Sequence, residues 1–344
     1  MRKICVLGAG SWGTALSTVL GKNEYRVALW GRAEDGVEQI SSFQENRRFL
    51  PGVVVPDTVK PTADMEEAIT GAEWVVLSVP SQAMRAVLVQ AKQYLNPDTY
   101  VVNTAKGLEI ATGMRMGQVA ADVLGPEISK RYAVLSGPSH AEEVGRAIPT
   151  AVTVASSCKQ TASLAQDLFM SPSFRVYTNP DVAGVELGGA LKNVIALATG
   201  VAYGLGYGDN TMAALMTRAL TEIIRMGESL GGQTITFVGL SGLGDLVVTC
   251  GSRHSRNRRA GELIGQGLSL EQTLEQIGMV VEGASTCRIV HKMAMERDIE
   301  MPITRACYQV LYENRDPREA VLYLMQRQRK NESEDIGGFS TDWQ

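Results

Sequence analysis

The 344-residue chain has little from which to build a disulfide frame or a metal centre. Its five cysteines, Cys5, Cys158, Cys250, Cys287 and Cys307, are odd in number and include no CxxC pair, and there are only three histidines. That pattern indicates reduced thiols in a reducing compartment, and no resident metal is expected. Net charge is small as well. Thirty-three basic against thirty-seven acidic residues leave −4, so no general attraction draws the protein to nucleic acid or to an anionic membrane. Residues 1–7 run directly into a strand pattern and a glycine loop, without the apolar stretch and cleavage site of a secretory leader. A cytoplasmic location is expected. One run, 187–207, is long and almost uncharged, yet it carries Lys192-Asn193 and several glycines. A lysine in mid-bilayer is costly, so the run reads as a buried helix of a soluble core and not as a membrane span.

What is present is ordinary globular material: 44% hydrophobic and 20% charged residues, in a length that suits about two domains. The first half alternates β-rich runs with helical stretches. Strands are predicted at 3–7, 25–29, 74–78, 100–103, 133–135 and 151–154, with helices at 14–20, 65–69 and 82–94. Such alternation predicts a parallel sheet covered on both faces. Beyond residue 178 helix signals dominate, at 181–198, 212–230, 258–265, 269–277, 287–297, 302–313 and 317–328. Asn179-Pro180-Asp181 marks the expected boundary, because proline cannot continue a ladder and aspartate can cap the next helix. The polar tail, 329–344, is expected to be weakly ordered.

The clearest motif is Gly8-Ala9-Gly10-Ser11-Trp12-Gly13, which follows an apolar strand and opens a helix. Gly8 and Gly10 permit a tight turn and a close approach of backbone N–H groups to a pyrophosphate. Gly13 lets the helix lie against the strand, and the positive helix end receives the phosphate charge. The expected fold class is therefore α/β: a Rossmann-type dinucleotide-binding domain over 1–178, followed by an all-α substrate domain over 179–328. An acidic residue that would grip an NAD ribose belongs at the end of the second strand. That end reads Trp30-Gly31-Arg32, with no carboxylate at the tip. Arg32 is either a solvated charge or a partner for the 2′-phosphate of NADP; the second reading implies a preference for NADPH with NADH still usable.

Four further features carry chemistry. Lys106, in Asn103-Thr104-Ala105-Lys106-Gly107, follows a strand end where open α/β sheets bind ligands, although an exposed lysine is the usual occupant of such a loop. Lys192 is the only charged side chain between Glu186 and Asp209. Burial disfavours its ammonium and moves it toward the range of a general acid or base, with Asn193 as a second polar neighbour. Asp245 sits in a glycine-bracketed stretch that reads as a turn, available to orient a lysine or to make an ordinary Asx turn. Ser255-Arg256-Asn257 at a helix start suits a phosphate, though a solvated basic face has the same composition.

Taken together, the chain resembles the NAD(P)-dependent glycerol-3-phosphate dehydrogenase family in its bacterial form. The matching stretches are GAGSWGTAL (8–16), NRRFLPG (46–52), NTAKGLE (103–109), LSGPSHAEEV (135–144), GVELGGALKNVIALATGVAYGLGYGDN (184–210), GLSGLGDLVVTC (239–250), SRNRRAG (255–261) and VVEG (280–283). The resemblance implies reversible reduction of dihydroxyacetone phosphate to sn-glycerol 3-phosphate, with NADP or NAD, for phospholipid synthesis. Beside Gly8, Gly10 and Gly13 of the glycine loop, it places Ser11, Trp12, Arg32, and Arg48 or Phe49 on the cofactor, with Lys106, Ala141, Arg256, Val280 and Glu282. It places Lys106, Gly137, Ser139, Lys192, Asn193, Asp245, Thr249, Ser255, Arg256 and Asn257 on the substrate. Of these, Lys192, Lys106 and Asp245 are the implied catalytic residues, Lys192 exchanging the proton. A β-hydroxyacid dehydrogenase shares the two-domain plan and a lysine, and a nicotinamide sensor without catalysis shares the glycine loop. Glycine-rich helices in the second half leave room for a homodimer.

Overall fold

A computed structural model describes residues 2–329. The expected tail, 329–344, lies outside the described residues except for Arg329. The chain divides into two compact units between Glu186 and Leu187.

The first unit is built on one eight-stranded sheet in the order β3-β2-β1-β4-β5-β6-β7-β8. The strands are β1 Lys3–Leu7, β2 Arg26–Trp30, β3 Val59–Thr62, β4 Trp74–Leu77, β5 Tyr100–Asn103, β6 Tyr132–Ser136, β7 Thr150–Ala155 and β8 Phe174–Asn179. Strand alternation explains why both faces are covered. Ile4 and Val6 of β1 join one apolar cluster with Leu16 and Leu20 of the helix Ser11–Lys22. Cys5 and Leu7 point the other way, into a second cluster with Val75, Leu77 and Leu88. A strand buried on both sides reads as a continuous apolar run, as β1 does.

Two expectations need correction. The sheet is not wholly parallel, because β6 and β7 pair antiparallel. The link 137–149 holds only the short helix Ala141–Gly145, and it returns the chain at the same end of the sheet without a crossover. Two strands also escaped prediction, β3 and β8, the outermost on either side. An edge strand has one neighbour and tolerates Lys60, Pro61 and Arg175, which blur the apolar signal. The helices Met116–Leu124 and Lys159–Phe169 were likewise unforeseen.

The second unit is helical. Its first long helix, Val182–Gly204, begins within the first unit, where Asp181 caps it by accepting from Gly184 N at 2.8 Å. By length and composition this helix could cross a membrane, but 83% of its apolar window is buried inside the protein. Its partner is Arg256–Gly265. A Cβ on Gly261 would stand 2.0 Å from Leu197 O, and one on Gly200 2.0 Å from Arg258 O. The two helices therefore touch backbone to backbone, and glycine is the residue that allows it. Around them Val194, Leu197, Val201, Ala260, Ile264, Cys287 and Leu311 form the core.

Candidate active site

In the first unit the ends of β2, β1 and β4 lie level, with Leu7 aligned to Trp30 on one side and Leu77 on the other. The chain leaves β1 at Gly8, whose N–H donates to Trp30 O at 2.9 Å and whose φ is +117°. A Cβ on Gly13 would fall 1.8 Å from Gly8 O, so only glycine closes this turn. At Gly10, by contrast, nothing lies within 4 Å of where a Cβ would point. That open cradle faces the first N–H groups of the helix Ser11–Lys22, and its residues fit a dinucleotide pyrophosphate.

A second loop is fastened to this turn. Asn46 Nδ2 donates to Ala9 O and to Thr14 Oγ1, both at 2.8 Å, and Ser11 Oγ donates to Phe49 O at 2.6 Å. Arg48 and Phe49 thereby arrive beside the glycine loop. Trp12 packs at the edge of the apolar cluster, and its buried Nε1 has no hydrogen-bond partner among the described residues. Asn46 was missed from sequence, where an asparagine ahead of two arginines looks like any polar loop residue.

The tip of β2 also differs from expectation. Ala33–Asp35 forms a 3-10 turn that brings a carboxylate back onto Arg32: Nε donates to Asp35 Oδ2 at 2.8 Å. Arg48 Nη1 reaches the same carboxylate at 3.3 Å and donates to Glu34 O at 2.9 Å. The hydrogen bond to Asp35, and then its charge, raise the Arg32 pKa further.

At the neighbouring strand ends, Lys106 Nζ donates to Gly137 O at 3.0 Å and Ser139 Oγ donates to the same oxygen at 2.9 Å. Because β5 and β6 are adjacent and parallel, residues just past their ends are side by side. Lys106, Gly137 and Ser139 are thus brought together, with Ala141 at the start of the following helix.

In the second unit Lys192 is 5% exposed, and its ammonium is salt-bridged to Asp245. It also donates to Thr249 Oγ1 at 2.6 Å, and that hydroxyl donates in turn to Asp245 O at 2.6 Å. Asp245 is not in a turn. Leu240–Gly244 is a π-helical turn that runs straight into the helix Asp245–Gly251. Gly242, one of the glycines that suggested a loop, serves packing, since a Cβ there would meet Phe237 O at 2.0 Å. Asp245 and Thr249, four apart, then share one helical face toward Lys192. The carboxylate supplies the counter-charge that a buried ammonium requires. Nearby, burial pushes the Cys250 thiol up to about 11, so it stays protonated.

Asn257 joins this cluster to two other segments. Its Nδ2 donates to Asn193 Oδ1 at 3.0 Å, and its Oδ1 accepts from Gly283 N at 2.8 Å. Ser255 Oγ accepts from Arg258 N at 3.2 Å, capping the helix Arg256–Gly265. The cap and the bridge fix this hydroxyl and amide in place, and each keeps one donor hydrogen for a ligand. This helix start also presents the exposed Arg256 and its first backbone N–H groups. Glu282 begins the helix Glu282–Glu296, with Val280 45% exposed just before it.

Two family models match the chain. Residues 3–162 match the N-terminal part of NAD-dependent glycerol-3-phosphate dehydrogenase, and residues 181–322 match its C-terminal part. A protein of Syntrophomonas wolfei named glycerol-3-phosphate dehydrogenase [NAD(P)+] is 64% identical over 343 residues, covering 100% of both chains. One of the same name from Moorella thermoacetica is 54% identical, covering 99% of each. Among solved structures, the glycerol-3-phosphate dehydrogenase of Coxiella burnetii superposes with a TM-score of 0.90 at 39% identity, covering 95% of this chain and 99% of that one.

Proposed function

The chain belongs to the NAD-dependent glycerol-3-phosphate dehydrogenase family, and from that premise we propose a role for each residue of its two clusters. The protein is an oxidoreductase that reduces dihydroxyacetone phosphate to sn-glycerol 3-phosphate with NADPH or NADH, reversibly, supplying the glycerol backbone of phospholipids. The β-hydroxyacid dehydrogenase and sensor readings fall away with the family match.

When bound, the reduced nicotinamide supplies a hydride to the central carbon of the substrate. The chain's own task is to hold the reactants and to move a proton. Lys192, as the ammonium, donates to the oxygen that becomes the alcohol; in oxidation the neutral amine accepts it. Asp245 and Thr249 aim that nitrogen. Lys106, Gly137, Ser139 and Asn193 are further substrate contacts. Arg256, with Ser255 and Asn257 at the helix start, holds the phosphate, so binding energy distant from the reacting carbon positions it. Gly8, Gly10, Ser11, Trp12 and Gly13 hold the pyrophosphate; Arg32, Arg48 and Phe49 hold the adenosine end; Ala141, Arg256, Val280 and Glu282 complete the cofactor contacts. Arg32 and Arg48 give NADPH the advantage over NADH.

The observation that carries this reading is the buried Lys192–Asp245 pair, with Thr249 donating to the backbone beneath it. A buried ion pair is weak evidence of stabilisation, so its presence beside a buried hydroxyl points to chemistry. The boundary at 178/179, a cytoplasmic location, a homodimeric state and the absence of a membrane span complete the proposal. The test is loss of nicotinamide absorbance on adding dihydroxyacetone phosphate, with each cofactor in turn. Consumption is expected with both, and faster with NADPH; consumption only with 3-oxo acids, or with no substrate, overturns the reading.

A further inference from the structure

The 3-10 turn after β2 leaves one carboxylate between two guanidiniums. The Asp35 side chain is 19% exposed, whereas those of Arg32 and Arg48 are 61% and 58% exposed. The carboxylate thus lies beneath two arginine tips that stand in solvent. Glu34 adds a contact to Arg32 at 3.1 Å, so the four side chains sum to zero charge. The cluster is held in place from both sides. Arg32 is separated from the end of β2 by Gly31 alone, and Arg48 sits on the loop that Asn46 ties to the glycine turn.

We propose that Asp35 sets the balance between the two nucleotides, and is the residue that lets NADH be used beside NADPH. The tip of β2 is where the adenosine ribose of a dinucleotide lies in this strand order. A ribose with free 2′- and 3′-hydroxyls donates hydrogen bonds, and a carboxylate is the acceptor that suits it. A 2′-phosphate is instead an anion. It gains from the two guanidiniums but is opposed by the carboxylate that already neutralises them. One side chain therefore favours one nucleotide and penalises the other. From sequence, Arg32 alone carries the selecting role, because no acid stands at the strand tip; the turn supplies one three residues later. The proposal rests on the reading that both nucleotides bind this unit.

The test uses calorimetric binding of NADPH and NADH to the full-length protein, with kcat/KM for each measured alongside. Asp35→Asn removes the charge while its amide oxygen can still accept from Arg32 Nε. The NADPH dissociation constant is expected to fall and that for NADH to rise, shifting their ratio toward NADPH by at least about tenfold, the scale of one hydrogen bond to a charged group. Raised salt should shrink the NADPH gain. Glu34→Gln removes an equal charge that is 69% exposed, and should move the ratio much less. A ratio within about twofold of the parent in Asp35→Asn, or an equal shift in Glu34→Gln, overturns the role of Asp35. Failure of the parent protein to bind either nucleotide would instead count against the dehydrogenase reading.

Discussion

Lys192 and Asp245 lie 53 positions apart in the chain and form a salt bridge with side chains 6% and 1% exposed. Thr249, one helical turn beyond Asp245, completes the contact from the same face. Asp245→Asn keeps the shape but removes the charge that orients and stabilises the ammonium. The expected result is a kcat lowered by about 100-fold or more, with KM changed far less. A buried cation left without its counter-ion also costs about 3 kcal/mol of stability. Steady-state rates and thermal melts measure the two effects separately; a kcat close to that of the parent would remove Asp245 from the orienting role.

Arg256 stands exposed at the start of its helix, with Ser255 beneath it serving as the cap. Arg256→Ala should raise KM for dihydroxyacetone phosphate by about 10- to 100-fold, the worth of a charge-assisted hydrogen bond or two, while kcat stays within a few-fold. The cap is untouched, so the melting temperature should hardly move. An unchanged KM would count against phosphate binding at this helix start.

How far these groupings were legible in the sequence depended on distance along the chain. The glycine loop and Lys192, the one charge in the apolar run 187–207, are local, and composition and spacing disclosed both. Asp245 reads locally as available to orient a lysine, while its pairing with Lys192 in particular came through the family resemblance; the local pattern misled about conformation, because a glycine that serves close packing looks like one that serves a turn. Asn46 and Asn257 act by bridging segments 32 and 64 positions away, which no local pattern encodes. Asp35 was missed for a smaller reason: a 3-10 turn of three residues brings it back to Arg32. The edge strands β3 and β8 were obscured by the polar residues an edge tolerates, and the direction of β7 by the lack of a crossover helix.

Glu222 supplies a prediction about pH. It is 2% exposed and accepts from Ile303 N at 2.6 Å, and from Thr304 N and Thr304 Oγ1 at 3.1 Å, at the start of the helix Pro302–Tyr312. Burial outweighs these bonds and pushes its carboxyl up to about 7. The folded protein therefore prefers the neutral form. Its contribution to stability is fully present below the unfolded value near 4.5 and is lost as pH rises through about 7, a change of about 3 kcal/mol. Melting temperatures taken from pH 5 to 8 should show this fall. In Glu222→Gln that component should vanish, leaving a protein less stable at pH 5 by about 1–3 kcal/mol for the unmet N–H. An identical pH slope in both proteins would contradict the account.

The central claim is that the Lys192 nitrogen exchanges the proton at the substrate oxygen. Single-turnover reduction of dihydroxyacetone phosphate by Lys192→Ala, with NADPH affinity measured on the same sample, tests it most directly. The account predicts a chemical step slowed by about 1,000-fold or more, with the cofactor dissociation constant within a few-fold of the parent. A near-parental chemical step in a folded, cofactor-binding Lys192→Ala protein would contradict it.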